Sequence, residues 1–174
     1  WKDEAGVNSR PHVSITMNFT KPTAERPALL TMSEVETFLH EFGHAIHGLM
    51  ANTKYRAMSG TSVYRDFVEL PSQIMENWAF EPEIMREYAI HHRTGEVIPD
   101  QLIEKIQRAS LFNQGFTTTE LCAAALIDMD IHSIENFVDM DVNDFETYNL
   151  ATRRGLIEQI APRYRYTYFS HIFN

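Results

Sequence analysis

Between Pro11 and Thr20 the chain alternates, with Val13, Ile15, Met17 and Phe19 on one side and His12, Ser14, Thr16 and Asn18 on the other. A period of two with β-branched residues predicts a half-buried strand. Lys21 to Pro27, with two prolines, reads as a loop. The period then changes. Val35, Phe38, Leu39, Phe42, Ile46 and Leu49 fall on one stripe of a helix running to about Met50. Ser33-Glu34-Val35-Glu36 has the form of a capping box at its start. A second helical stretch is predicted over about 65–80, where Pro71 requires either a first-turn position or a kink. Pro82 restarts a helix through about His92, and further helices are predicted at about 100–112, 117–138 and 143–160, with Asp100 and Asn143 as candidate N-caps. The fold expected is mainly α with a small β element near the N-terminus, in a single domain over 1–174.

Composition narrows the function classes. With 44% hydrophobic and 22% charged residues over 174 positions, the chain has enough apolar material for one core. The net charge of -9 sets it against the phosphates of nucleic acid. No apolar run is long enough to span a bilayer, so neither nucleic acid nor membrane is an expected partner. A single cysteine, Cys122, rules out an internal disulfide, is expected to be a small buried hydrophobe, and fits a reducing compartment such as the cytoplasm. The chain opens on Trp1 and closes on Asn174 after an aromatic run, and the expectation is a piece of a longer protein.

The informative string is His40-Glu41-Phe42-Gly43-His44. Histidines at i and i+4 lie one turn apart on the same helix face, so both imidazoles reach one ion. Glu41 points beside that ion and is placed to take a proton from an activated water. A catalytic zinc needs a third protein ligand. Six residues beyond His44 stands Met50, not the histidine of a metzincin. A carboxylate from the next helix is the alternative, and spacing leaves Asp66, Glu69 and Glu76 equally open.

Further strings accompany the motif: Met17-Asn18-Phe19-Thr20-Lys21-Pro22, Pro27-Ala28-Leu29-Leu30, Glu34-Val35-Glu36-Thr37, Ser59-Gly60-Thr61 and the run from Arg65 to Trp78. In this order the chain resembles the thimet oligopeptidase family of metallopeptidases, which includes neurolysin and bacterial peptidyl-dipeptidases. The resemblance covers most of the chain, most closely from about 11 to 80 and around 163–173. It implies a zincin-like (gluzincin) catalytic core and one Zn2+ per chain. It implies His40, His44 and Glu69 as ligands, Glu41 as general base, and short peptides as substrates. Carboxylates commonly orient ligand histidines; Glu36, Asp66 and Glu76 are candidates for that role, with plain surface charge as the alternative for each.

The resemblance also singles out His171, which resembles the histidine that begins a tyrosine-rich substrate loop. That loop's tyrosines would follow Asn174, and Tyr164, Tyr166 and Tyr168 precede His171 and are not their equivalents. The chain alone is therefore expected to bind zinc and hydrolyse peptides poorly. Among the other histidines, His47 reads as a packed helix residue, His91 and His92 as a helix end, and His132 as structural. Gly60-Thr61-Ser62 reads as a loop near the cleft. A different class of function, a zinc-binding helical scaffold or pseudoenzyme used for binding, is the alternative. It leaves Glu41 unexplained, because a structural zinc site closes with four protein ligands and needs no base.

Overall fold

A computed structural model of the chain describes residues 2, 5–136, 139–157 and 159–173. Seven α-helices occur among them: α1 (Met32–Met50), α2 (Arg65–Val68), α3 (Leu70–Glu76), α4 (Pro82–Tyr88), α5 (Asp100–Ser110), α6 (Gln114–His132) and α7 (Val142–Thr147). The chain divides into two compact units, 1–107 and 108–174. The ends of the helices expected over 117–138 and 143–160 include Phe137, Val138 and Glu158, which lie outside the described residues.

In the first unit, α1 starts from a capping box, but two residues earlier than the sequence suggested. Thr31 is the N-cap, accepting from the Glu34 N–H at 3.2 Å, and the Glu34 carboxylate accepts from the Thr31 N–H at 2.7 Å. Glu34 rather than Glu36 closes the box because it stands at the third helical position, the only one whose side chain folds back onto the cap. The face that α1 buries also differs from its large apolar stripe. Phe38, Phe42 and Leu49 remain exposed, whereas Gly43 and Ala45 are buried. Small residues allow α3 to approach so closely that a Cβ on Gly43 would lie 2.6 Å from the Pro71 carbonyl oxygen and from Ser72 Cα.

The helical stretch around 65–80 is broken at Glu69, which separates α2 from α3 and places Pro71 in the first turn of α3. There its missing N–H removes no helical hydrogen bond. A 3₁₀ turn over Asn77–Phe80 then leads into α4, which has Pro82 at its start and ends at Tyr88. His91 and His92 therefore lie beyond the helix, in a turn tied by an isolated bridge between Ile90 and Val97.

The expected strand over 11–20 does not form. The run carries no regular element, and its alternation holds in part, with Ile15, Met17 and Phe19 half-buried between exposed neighbours and Val13 exposed. Its backbone has no ladder partner among the described residues, and a strand needs one for its N–H and C=O groups. The run instead borders α1: Val13 comes within 3.0 Å of a Cβ built on Gly48, and Thr20 donates its N–H and its hydroxyl to Glu34 Oε1 at 2.8 and 2.9 Å.

The second unit has its core around Ala123, Ile127 and Leu150, with Ile131, Phe145, Leu156 and Tyr166 packed on it. Cys122 is exposed, contrary to expectation. The buried face of α6 is Ala123, Ala124 and Ile127, and a turn of about 100° per residue sets Cys122 off its flank. Asp141, not Asn143, caps α7, accepting from the N–H groups of Asn143 and Asp144. The backbone then widens into a single π turn over Tyr148–Thr152. Asp130 binds Arg154 in a two-pronged pair, and Arg153 adds a third contact at 3.0 Å. His132 ends α6 against Asp128 as a structural residue.

Candidate metal centre

Capping fixes where α1 begins, and the helical repeat then brings His40 and His44 onto one face with ring centroids 4.9 Å apart and planes nearly perpendicular. The break before α3 supplies the facing carboxylate. Glu69 Oε2 lies 3.3 Å from His40 Nε2 and 3.2 Å from His44 Nε2. Of the three carboxylates that spacing left open, the fold thus selects Glu69. Asp66 is exposed on α2, and Glu76 meets the opposite nitrogen of His40, with Oε1 2.5 Å from Nδ1. Among the described residues, His40, His44 and Glu69 are the group whose ligand atoms all lie within 4.8 Å of one another.

The spacing fits a metal better than a direct ion pair. A charge-assisted N–H···O contact draws in to about 2.7–2.9 Å. Ligand atoms held about 2.0–2.1 Å from a tetrahedral zinc stand roughly 3.3 Å apart. The two contacts of Glu69 match the second figure. Two imidazoles and a carboxylate are also the donor set of an open zinc site, which keeps its fourth position free. The Glu69 side chain is 43% exposed, against 25% and 21% for His40 and His44, so the set is reached from the carboxylate's side.

Surrounding groups hold these side chains. Ser72, fully buried, places its hydroxyl 2.8 Å from Glu69 Oε2 and 2.9 Å from the Glu69 carbonyl oxygen. Glu36 lies near His40 and Glu76, and partial burial followed by the Glu76 charge raises its carboxyl above the ordinary range, with His40 opposing. His44 Nδ1 is buried and has no hydrogen-bond partner among the described residues. His47, one turn on, packs edge-on against Phe67 at 6.0 Å as a helix residue. Gly60, at φ +58°, turns its loop against α1 at Gly48. His171 belongs to the second unit, exposed on the 3₁₀ turn Ser170–Phe173 with its ring 5.7 Å from Phe169. Glu41 is half-buried on α1 beside His40.

Sequence reading overlooked Gly43 and Ser72. One signal for Gly43 was present, since a glycine inside a helix costs about 1 kcal/mol relative to alanine and usually marks a close approach.

Two histidines of α1 and the glutamate that precedes α3 thus come together as a group that could hold a metal ion. The chain belongs to peptidase family M3, a metallopeptidase family, whose family model matches residues 4–174. It is 46% identical over 166 residues to the dipeptidyl carboxypeptidase of Escherichia coli, covering 95% of this chain and 24% of that protein. It is 36% identical to oligopeptidase A of the same organism, over 97% of this chain and 25% of the relative. Mitochondrial intermediate peptidase 2 of Cryptococcus neoformans is 34% identical, over 97% of this chain and 22% of that protein. The chain thus spans about a quarter of the length of these curated relatives. No helix of the described residues is long and apolar enough to cross a membrane.

Proposed function

We propose that this chain carries the catalytic zinc centre of a peptidase that hydrolyses peptide bonds in short oligopeptides. In this reading His40, His44 and Glu69 hold one Zn2+ and Glu41 is the general base. The observation that carries it is the convergence of His40, His44 and Glu69, whose ligand atoms all lie within 4.8 Å of one another, with Glu69 Oε2 3.3 and 3.2 Å from the two Nε2 atoms.

Zinc in such a set supplies a Lewis acid and brings the pKa of a water toward neutrality. The chain's own groups supply the rest. His40 and His44 present Nε2 from a helix whose register is fixed by its cap, and Glu69 presents Oε2 from the kink before α3. Glu41 follows His40, outside the ligand set, where it accepts the proton of the attacking water and passes it to the leaving amine. His171 belongs to the substrate-binding segment that the family resemblance implies. The 46% identity to a dipeptidyl carboxypeptidase supports release of C-terminal dipeptides.

Elemental analysis of the purified protein, before and after chelation and beside His40→Ala, tests the metal. Near one zinc per chain, lost in the variant, is expected; no zinc after reconstitution refutes the ligand set. Glu41→Gln in the full-length protein is expected to retain zinc and lose turnover by about 10²–10⁴-fold, as removal of a general base does. Near-normal turnover in that variant would refute Glu41 as the base, whereas a zinc-loaded wild type without turnover would favour the binding scaffold.

A further inference from the structure

Residues 69, 72 and 76 follow one another at steps of three and four, so they share the face of α3 that meets α1. Glu69 presents a ligand atom from that face. The other two grip ligands. Ser72 is fully buried, and its hydroxyl oxygen lies within donating distance of both the carboxylate and the carbonyl oxygen of Glu69, at 2.8 and 2.9 Å. The same carbonyl accepts the Gln73 N–H at 2.9 Å, so the backbone of Glu69 is held from two directions. Glu76 reaches His40 Nδ1 at 2.5 Å, on the side of the ring away from the proposed metal. A carboxylate there requires the proton on Nδ1, which leaves the lone pair on Nε2, the atom facing Glu69 and His44.

We propose that Ser72 and Glu76 are positioning residues of the metal centre, Ser72 fixing the Glu69 carboxylate and Glu76 fixing the tautomer and tilt of His40. The inference rests on the zinc reading above. It explains why Ser72 is buried under Gly43. The closeness of α1 and α3 buries Ser72, and its hydroxyl meets the Glu69 carboxylate from within the α3 face. It also separates the three carboxylates that the sequence left equivalent in this role. Asp66 is exposed on α2, and Glu36 raises the local negative charge without a hydrogen bond to either ligand histidine among the described residues.

The test is made on metal-stripped full-length protein. Zinc affinity is measured by competition with a chromophoric chelator, and the visible absorption of the Co2+-substituted protein reports coordination. Ser72→Ala and Glu76→Ala are each expected to weaken zinc by roughly 10–100-fold, the usual cost of losing a partner behind a ligand. Both are expected to alter the cobalt bands. Glu76→Gln keeps an acceptor for Nδ1–H and should recover most of the affinity, which a purely space-filling role would not require Glu76→Ala to lose. Far-UV circular dichroism of each metal-free variant checks folding, and Glu76→Leu, which also removes the acceptor, replaces Glu76→Ala if that variant does not fold. Ser72→Ala and Glu76→Ala (or Glu76→Leu) with unaltered affinity and cobalt spectrum, in a wild type that binds zinc tightly, overturn the positioning roles alone. A wild type that takes up no zinc overturns the metal reading and these roles together.

Discussion

Gly43→Ala adds a single methyl group between His40 and His44, and its consequence follows from the packing. The new Cβ would stand 2.6 Å from both the Pro71 carbonyl oxygen and Ser72 Cα, where ordinary contact begins at 3.4 Å. Both obstacles are backbone, so α3 must recede from α1 by about 0.8 Å, since no rotamer relieves the clash. Stability falls by about 0–2 kcal/mol on balance. Overpacking costs about 1–3 kcal/mol, and alanine regains about 1 kcal/mol over glycine inside a helix. The metal centre is less forgiving. Glu69 immediately precedes α3 and moves with it, and ligand distances tolerate only about 0.2 Å. Zinc affinity is therefore expected to fall at least tenfold, about 1.4 kcal/mol, in a protein that still folds. Chelator competition reads the affinity and circular dichroism reads the fold. Gly48→Ala is the control, because its Cβ meets only the Val13 side chain, at 3.0 Å, and a side chain can yield. A folded Gly43→Ala protein with wild-type zinc affinity would refute the claim that this close approach sets the third ligand.

Three further outcomes can be checked independently. Glu34 has its carboxyl pushed down to about 2, first by the Thr31 N–H and then by Thr20, so its contribution to stability is full above about 4.5 and disappears as the pH falls toward 2. The thermal-stability advantage of wild type over Glu34→Gln should shrink across that window, and a constant advantage would contradict it. In the second unit, the hydrogen bond from Arg154 holds the Asp130 carboxyl below the ordinary carboxylate range. Asp130→Ala should therefore cost about 2 kcal/mol in denaturant unfolding at neutral pH, with the loss fading in strong acid; an unchanged midpoint would refute it. The 174-residue chain by itself is expected to hold zinc, because His40, His44 and Glu69 all lie within it. No metal in the purified, reconstituted chain would refute this.

By itself the sequence determined what is local. Whether two histidines share a helix face depends only on their spacing and on a helix that starts before them. The alternation of 11–20, the pause at Pro71 and the restart at Pro82 were equally readable, since each is set by a side-chain period or by a missing N–H. Even so, the cap fell on Thr31 rather than Ser33, since several residues near Glu34 satisfied the local pattern and only the helix start chose among them. Tertiary structure decided what depends on meeting another segment. Alternation in 11–20 described which side chains face inward, but a strand also needs a partner, and none lies beside it among the described residues. Likewise Asp66, Glu69 and Glu76 are equivalent as residue types. Only the approach of α3 to α1 across Gly43 turns Glu69 to the Nε2 atoms, Glu76 to Nδ1 and Asp66 to solvent. That approach is a contact between backbones, and backbone contacts leave in the sequence little more than the absence of a side chain.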